Sequence, residues 1–164
     1  MPEAPQLPEP PSLPQDLRFA FVEAAWHADI VHRSRDAFFA EMARAGFGPA
    51  SIDVFDVAGA FEIPLHVQRL ARSGRYAAVV GSALVVDGGV YRHDFVVQTV
   101  VQALMDVQLQ TGVPVISAVQ APHHFHEHVE HRRFLQQHFA LKGTEAAQAV
   151  LLTVAGLRAL DARV

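Results

Sequence analysis

The sequence of 164 residues contains no cysteine, one tryptophan and two tyrosines. The absence of cysteine excludes disulfide bonds and thiol chemistry, and it leaves a cytoplasmic location unopposed. Basic and acidic residues number 13 and 17, so there is no basic stripe of the kind that binds nucleic acid or anionic lipid. No uncharged apolar run reaches the roughly 18 residues that a membrane span needs. We therefore expect neither a nucleic-acid partner nor a membrane partner.

The chain divides by composition into a short arm and one compact domain. Residues 1–16 hold six of the ten prolines and no lysine or arginine, which differs from a signal or transit peptide. We predict a flexible, partly polyproline-II arm there, with docking on a neighbouring subunit as the alternative. Residues 17–164 are half apolar and long enough for a single domain with a full core.

Strand-like and helix-like patterns alternate after residue 17. Short apolar runs predict strands over 17–25, 51–57, 76–86 and 113–119. Helices are predicted from an Asp29 cap to Gly46, over 62–72 and 93–111, and from Thr144 to about Leu160. Strands separated by helices predict an α/β fold with a parallel sheet covered on both faces. Ligands of such sheets bind beyond the carboxyl ends of the strands, which selects the loops 25–28, 58–62, 86–93 and 120–131.

The segment Gly88–Asp94, Gly-Gly-Val-Tyr-Arg-His-Asp, combines several features of a functional loop. It follows the third predicted strand and leads into a helix with Val96, Val97, Val100, Val101 and Leu104 on its inner stripe. Two glycines allow the backbone to approach a bound group, and a helix start offers free N–H donors to an anion. Arg92 and His93 add a cation and a titratable base. Phosphate binding and proton transfer are therefore predicted in one loop, with a plain connection as the alternative.

Two other strand ends carry candidate binding residues. Trp26 follows the first strand, where it can stack on a flat heterocycle or serve as a core or rim aromatic. The segment Gly59-Ala60-Phe61-Glu62-Ile63-Pro64 follows the second strand. Its backbone and Glu62 can recognise the edge of a polar ring, unless Glu62 is only a first-turn carboxylate favoured by the helix dipole.

The segment 123–131 holds half of the ten histidines, at His123, His124, His126, His128 and His131. A zinc-protease helix would read His-Glu-x-x-His, but Glu130 stands where the second histidine should be. His124, His128 and His131 can share a helix face, yet no cysteine or open-site pattern supports a catalytic metal. We predict solvated or partner-facing histidines, one of which can bind phosphate, and no metal.

Taken together, these motifs resemble the lumazine synthase family from about Leu17 to Ala155. The strongest elements are Gly59–Pro64, the turn from Gly88 to Val96, Gly112-Val113-Pro114-Val115, and Lys142-Gly143 before Ala146-Ala147. The resemblance implies a flavodoxin-like three-layer α/β/α sandwich with a four-stranded parallel sheet. It also implies homopentamers with active sites between subunits. The implied reaction condenses 5-amino-6-(D-ribitylamino)uracil with 3,4-dihydroxy-2-butanone 4-phosphate, without a cofactor or metal.

The resemblance assigns site residues by position. Trp26 matches the aromatic that stacks on the pyrimidine, and Ala60, Phe61 and Glu62 match the segment that holds the ribityl chain. Leu84, Val85 and Val86 match the end of a strand that lines the pyrimidine pocket, and Gly89 and Val90 match the phosphate loop. The neighbouring subunit's contribution falls on Ser117, where the family has phenylalanine, and on His131, where it has a phosphate-binding arginine. Lys142 is also predicted to contact substrate.

Departures from the usual family pattern concern the catalytic loop. The proton-transferring histidine falls on Arg92, and His93 is shifted by one position, so these two residues are the catalytic candidates. Arginine stays protonated near neutral pH and cannot act as a base, but it can clamp phosphate or stabilise an oxyanion. The motifs Trp-His-Ala-Asp, Tyr-Arg-His-Asp-Phe and Pro-His-His-Phe-His resemble the second lumazine synthase type, a decamer of two pentamers.

Two other functions stay open on the sequence alone. A non-catalytic or weakly active flavin- or lumazine-binding protein on the same scaffold would explain why Arg92 and Ser117 depart from the pattern. A flavodoxin-like electron carrier would need a Ser- and Thr-rich phosphate loop after the first strand. Residues 24–30, Ala-Ala-Trp-His-Ala-Asp-Ile, lack it.

Overall fold

The structure is a computed structural model that describes residues 6–90 and 92–164. The first five residues of the predicted arm, and Tyr91 of the predicted catalytic loop, lie outside the described residues. The elements in chain order are β1 (Phe19–Ala24), α1 (Ala28–Arg44), β2 (Ile52–Val57), α2 (Ile63–Arg72), β3 (Ala78–Leu84), α3 (His93–Thr111), β4 (Val115–Gln120) and α4 (Val129–Asp161). Single turns of 3₁₀ helix, Pro49–Ser51 and Ala60–Glu62, precede β2 and α2.

The four strands form one parallel sheet in the order β2-β1-β3-β4. Helices α1 and α4 cover one face, where Phe21 belongs to a cluster with Phe38 and Val150. Helices α2 and α3 cover the other face, where Val22 belongs to a cluster with Val67 and Leu104. The predicted three-layer α/β/α sandwich with a four-stranded parallel sheet is confirmed.

Burial explains why β1 and β3 occupy the centre of the sheet. Every residue of both strands is buried, and both sequences are dominated by apolar and small side chains. Side chains on adjacent residues point to opposite faces of a strand, so a strand between two helical layers must be apolar on both sides. Strand β2 at the edge tolerates the partly exposed Asp53 and the exposed Asp56.

Several predicted boundaries were wrong. Helix α4 begins at Val129 rather than Thr144, because Leu135 and Phe139 continue a buried stripe through Gly143. Helix α1 follows His27, and Asp29 lies in its first turn instead of capping it. The bounds of α3 are as predicted, although Val101 is exposed rather than on the inner stripe. Strand β3 ends at Leu84, so the loop before α3 spans residues 85–92.

Gly143 is the point of closest approach between α4 and α1. A Cβ built on Gly143 would lie 2.0 Å from the carbonyl oxygen of Ser34, so only glycine fits. The Ser34 hydroxyl is itself buried, 2.7 Å from the Ser82 hydroxyl on β3, and it donates to the Val31 carbonyl. The contact therefore connects α4, α1 and the central sheet.

Within residues 6–16, the proline-rich segment contributes Leu13 to the core. Leu13 is 8% exposed and belongs to the cluster that α1 and α4 form with the sheet. In the part of the chain that the structure describes, no helix is long and apolar enough to cross a membrane.

We predict that Gly143→Ala destabilises the fold by about 3 kcal/mol or more, because the added methyl group meets backbone that cannot rotate away. Gly156→Ala is the matched control on the same helix, since a Cβ there has nothing within 4 Å. It should raise stability by about 0.5–1 kcal/mol through helix propensity. Thermal unfolding at one fixed protein concentration measures both changes. Equal midpoints for the two variants would show that the close approach of α4 to α1 is not required.

Candidate active site

A cavity of about 420 Å³ opens beyond the carboxyl ends of β1, β2 and β3. The three strands are adjacent in the parallel sheet, so their following loops meet at one edge. Backbone bonds extend the sheet there, with the Ala25 N–H donating to the Val57 carbonyl at 2.8 Å. The cavity is lined by Ala24, Trp26, His27, Gly59, Ala60, Phe61, Glu62, Leu84, Val85, Val86, Gly88 and Val96. Seven of these residues are predicted substrate contacts, and a single chain brings them together.

At the mouth of the cavity, Gly59 lies between the Trp26 indole and the Glu62 carboxylate. A Cβ on Gly59 would lie 3.1 Å from the Glu62 carboxylate oxygen Oε2 and 3.4 Å from Cδ1 of Trp26. Trp26 is 70% exposed, and Phe61 is 66% exposed. These aromatic side chains are therefore not core residues in this chain. A flat ring can stack on an exposed indole while a carboxylate nearby accepts hydrogen bonds from its polar substituents.

His27 holds the turn between Trp26 and α1 in an unusual conformation. Its φ of 56° and ψ of 44° are left-handed, and no other non-glycine residue in the described ranges has a positive φ. The His27 carbonyl accepts the N–H groups of Ile30 and Val31, and its ring lies 5.0 Å from the Phe125 ring. Strained conformations of this kind concentrate at functional sites. His27 is the histidine of the Trp-His-Ala-Asp motif, and it was not among the predicted site residues.

The end of β3 provides an apolar wall. Leu84 and Val85 are buried, and Val86 is partly buried. The Val85 N–H donates to the Gln120 carbonyl at 2.9 Å, which continues the pairing of β3 with β4 past the last strand residue. Ala24 and Val96 complete this wall and were not predicted as site residues. Only their positions in the sequence could have indicated them, because Ala24 ends β1 and Val96 lies near the start of α3.

The loop between β3 and α3 contains the predicted phosphate and proton-transfer residues. Gly89 has a φ of 74°, which favours glycine, and its N–H donates to the Asp87 carboxylate at 2.9 Å. Val90 is 94% exposed. Val85, Val86 and Gly88 of this loop line the cavity, whereas Gly89, Val90, Arg92 and the following His93 do not.

Arg92 and His93 lie where α3 begins. The Arg92 guanidinium donates to the Asp94 carboxylate at 3.0 Å and lies 4.1 Å from the Phe95 ring centroid. The hydrogen bond from Arg92 holds the pKa of Asp94 below its usual value. Arg92 precedes the helix with extended backbone, and half-buried His93 is its first residue. A cation and a titratable base therefore stand at a free helix N-terminus, as predicted, but outside the cavity of a single chain.

The remaining predicted contacts lie away from the cavity. Ser117 is exposed on the edge strand β4, where its hydroxyl accepts the Val119 N–H at 3.3 Å. His131 lies in the first turn of α4, near His126 and Phe134, and its buried Nε2 has no hydrogen-bond partner among the described residues. Lys142 lies in the middle of α4 and donates to Glu145 at 2.6 Å.

A charged network holds the histidine-rich segment next to His27. Arg132 donates to both carboxylate oxygens of Asp29, at 2.6 and 2.7 Å, and to Glu127 at 2.9 Å. The Arg132 hydrogen bonds lower the pKa of Asp29. Phe125 packs against the cluster of Ile30, Val31, Leu84, Leu135 and Phe139. Residues 121–128 are not helical, so the predicted helix face with His124, His128 and His131 does not exist.

Comparison with known proteins identifies the family. The family model described as 6,7-dimethyl-8-ribityllumazine synthase matches residues 16–158. The chain belongs to the lumazine synthase family. It is 58% identical to 6,7-dimethyl-8-ribityllumazine synthase 2 of Pseudomonas syringae pv. tomato, over 89% of this chain and 88% of the relative. It is 55% identical to 6,7-dimethyl-8-ribityllumazine synthase of Rhodococcus erythropolis, over 89% of this chain and 94% of the relative.

A third lumazine synthase, 6,7-dimethyl-8-ribityllumazine synthase 2 of Bradyrhizobium diazoefficiens, is 51% identical over 95% of this chain and 93% of the relative. The resemblance read from the motifs is confirmed, and the numeral in two of these names agrees with the second lumazine synthase type. The matches cover both the cavity residues and the segments of α3 and α4 that lie outside the cavity.

Proposed function

We propose that this chain catalyses the condensation of 5-amino-6-(D-ribitylamino)uracil with 3,4-dihydroxy-2-butanone 4-phosphate to 6,7-dimethyl-8-ribityllumazine, the penultimate step of riboflavin biosynthesis. The reaction loses phosphate and two waters. The observation that carries this function is the strand-end cavity with Trp26 and Glu62 on either side of Gly59, in a member of the lumazine synthase family. Nothing in the comparisons favours the non-catalytic binding protein.

The cavity suits the ribityl-pyrimidine substrate. Trp26 offers an exposed face for stacking, and the apolar end of β3 at Leu84, Val85 and Val86 takes the ring. Ala60, Phe61 and Glu62 form a single helical turn at the mouth, where backbone groups and a carboxylate can bind the hydroxyls of the ribityl chain. A small residue at position 60 leaves room for that chain.

The loop between β3 and α3 suits the phosphorylated substrate. Gly89 and Val90 present exposed backbone, and Arg92 supplies a positive charge at the N-terminus of α3. The pairing of Arg92 with Asp94 is exposed, and exposed ion pairs contribute little stability, so a phosphate can replace the carboxylate. His93 then moves protons during imine formation and dehydration, because Arg92 cannot accept a proton near neutral pH.

A neighbouring subunit completes the site in this proposal. Ser117, His131 and Lys142 lie outside the cavity of their own chain, and the buried Nε2 of His131 has no hydrogen-bond partner among the described residues. Helix α3 exposes Val101, Met105 and Leu109 at intervals of one turn, and α4 exposes Phe134 and Leu141. Exposed apolar patches of this kind mark interaction surfaces. We therefore propose that the chain forms homopentamers, which pair into decamers through the histidine-rich segment. We also propose a cytoplasmic location, and a division of the chain into an arm of residues 1–16 and a single domain of residues 17–164.

We predict that both substrates incubated with the protein give the fluorescence of lumazine. His93→Gln should lower kcat by about 10²–10⁴-fold with little change in KM, since general acid–base catalysis is lost while hydrogen bonding is kept. Arg92→Ala should mainly raise KM for the butanone phosphate. Arg92→Lys should raise this KM less, because lysine keeps the positive charge. No lumazine above the uncatalysed rate would contradict the function, whereas a normal kcat in His93→Gln would contradict only the role of His93.

Loss of the Trp26 stack should weaken binding of the ribityl substrate. Stacking of a base on an aromatic side chain is worth about 1–3 kcal/mol, so Trp26→Ala should raise the dissociation constant about tenfold or more. Trp26→Phe should recover much of the affinity. Isothermal titration calorimetry measures the three constants. An unchanged constant in a correctly assembled Trp26→Ala protein excludes the stacking role.

The proposed assembly should depend on pH. Imidazoles gain charge as pH falls toward about 6, so histidines between two pentamers would repel each other. Multi-angle light scattering should give a decamer at pH 7 and pentamers at pH 5.5. A monomer at pH 7 contradicts the shared site, and a mass unchanged at pH 5.5 contradicts the role of the histidine-rich segment.

A further inference from the structure

A buried carboxylate lies on the opposite face of the sheet from the cavity. Glu23 on β1 is 1% exposed. Its Oε1 accepts a hydrogen bond from the Arg35 guanidinium at 2.8 Å and lies 3.4 Å from Nε2 of His32. Its Oε2 is also buried and has no hydrogen-bond partner within residues 6–90 and 92–164. An unpartnered buried carboxylate oxygen is costly and indicates a missing ligand or proton.

The charges around Glu23 do not balance. Asp56 is paired with Glu23 in the parallel register of β1 and β2, so the two carboxylates stand side by side. Asp36 is a third carboxylate, 3.3 Å from the same Arg35. The Arg35 guanidinium contacts two of these three carboxylates, Glu23 and Asp36. Burial, opposed by Arg35 and reinforced by Asp56, raises the pKa of Glu23 to about 7.

We propose that Glu23, His32 and Asp56 bind one divalent transition-metal ion, of the Mn²⁺ or Zn²⁺ class. One ligand atom from each residue lies within 4.8 Å of the others. Ligands about 2.0–2.2 Å from a metal lie at most about 4.4 Å apart, so small side-chain rotations close the set. Two carboxylates with one imidazole suit Mn²⁺ and Zn²⁺, and the bound charge offsets the excess of carboxylates.

The surroundings of Glu23 allow a metal ion to enter from solvent and to bind water as an additional ligand. His32 is partly exposed and Asp56 is exposed, so an ion can reach the buried Glu23 from solvent, and water can fill the remaining positions. The three residues come from α1, β1 and β2, which the ion would tie together immediately before Trp26. Because Glu23 and the cavity-lining Ala24 point to opposite faces of β1, the ion would stabilise the strand end without taking part in the proposed reaction.

Binding of Mn²⁺ to the full-length, chelator-treated protein tests the proposal, with free Mn²⁺ measured by electron paramagnetic resonance. We expect one ion per chain. Glu23→Gln, His32→Gln and Asp56→Asn should each weaken binding by about tenfold or more, as expected for loss of a direct ligand. Asp56 is exposed, so Asp56→Asn should fold normally even if changes at the buried Glu23 do not.

Two control variants separate this site from general attraction of cations. Asp36→Asn removes a neighbouring carboxylate that pairs with Arg35 but is not a ligand, and His128→Gln removes a histidine of the histidine-rich segment. Both should retain the affinity to within about twofold. The proposal is overturned if the wild type binds no Mn²⁺, or if Asp56→Asn binds Mn²⁺ as tightly as the wild type does. It is also overturned if Asp36→Asn weakens binding as much as Asp56→Asn does.

Thermal stability provides an independent measurement. An ion that binds the folded chain and not the unfolded chain raises the melting temperature. Mn²⁺ should therefore raise the melting temperature of the wild type and leave that of Asp56→Asn unchanged. A proton shared by Glu23 and Asp56, without metal binding, would leave the melting temperature of the wild type unchanged by Mn²⁺.

Discussion

The close approach of α4 to α1 at Gly143 determines how the rest of the protein is arranged. Backbone lies so near backbone there that no side chain fits, and Ser34 at the same point is bonded to Ser82 in the central strand. Fixing α4 at its middle fixes the direction of its first turns. Arg132 can then reach Asp29 at the start of α1, and Phe125 can pack on His27. One contact between helices thus positions a loop beside the cavity from the far side of the sheet.

The cavity itself follows from the parallel sheet. Adjacent parallel strands end at the same edge, so the segments after β1, β2 and β3 converge although they are distant in the chain. Within that edge, Gly59 leaves the space in which Trp26 and Glu62 face each other, and the left-handed His27 turns the chain from Trp26 into α1. The binding surface is therefore made largely by backbone geometry, with few polar side chains.

The proposed site is divided between subunits, whereas the proposed metal site lies within one chain. Arg92 and His93 stand at a helix start beyond the cavity, and the buried Nε2 of His131 on α4 has no hydrogen-bond partner within the described residues. In the proposed pentamer, these residues would meet across an interface between two subunits. Glu23, by contrast, finds His32 and Asp56 in its own chain, so a metal ion there would act on the fold beneath Trp26 rather than on substrate.

The sequence alone determined the class of fold, the order of its elements and the family, and three of the four strand-end loops that it selected line the cavity. Apolar runs and the motifs after each strand are formed by residues that are close together in the sequence, so the sequence pattern is enough to identify them. Tertiary structure decided the start of α4, because Gly143 resembles a helix boundary until packing against Ser34 explains it. It also decided the conformation of His27 and the cluster around Glu23. Those features depend on contacts between distant segments, and no local pattern records which side chains the sheet brings together.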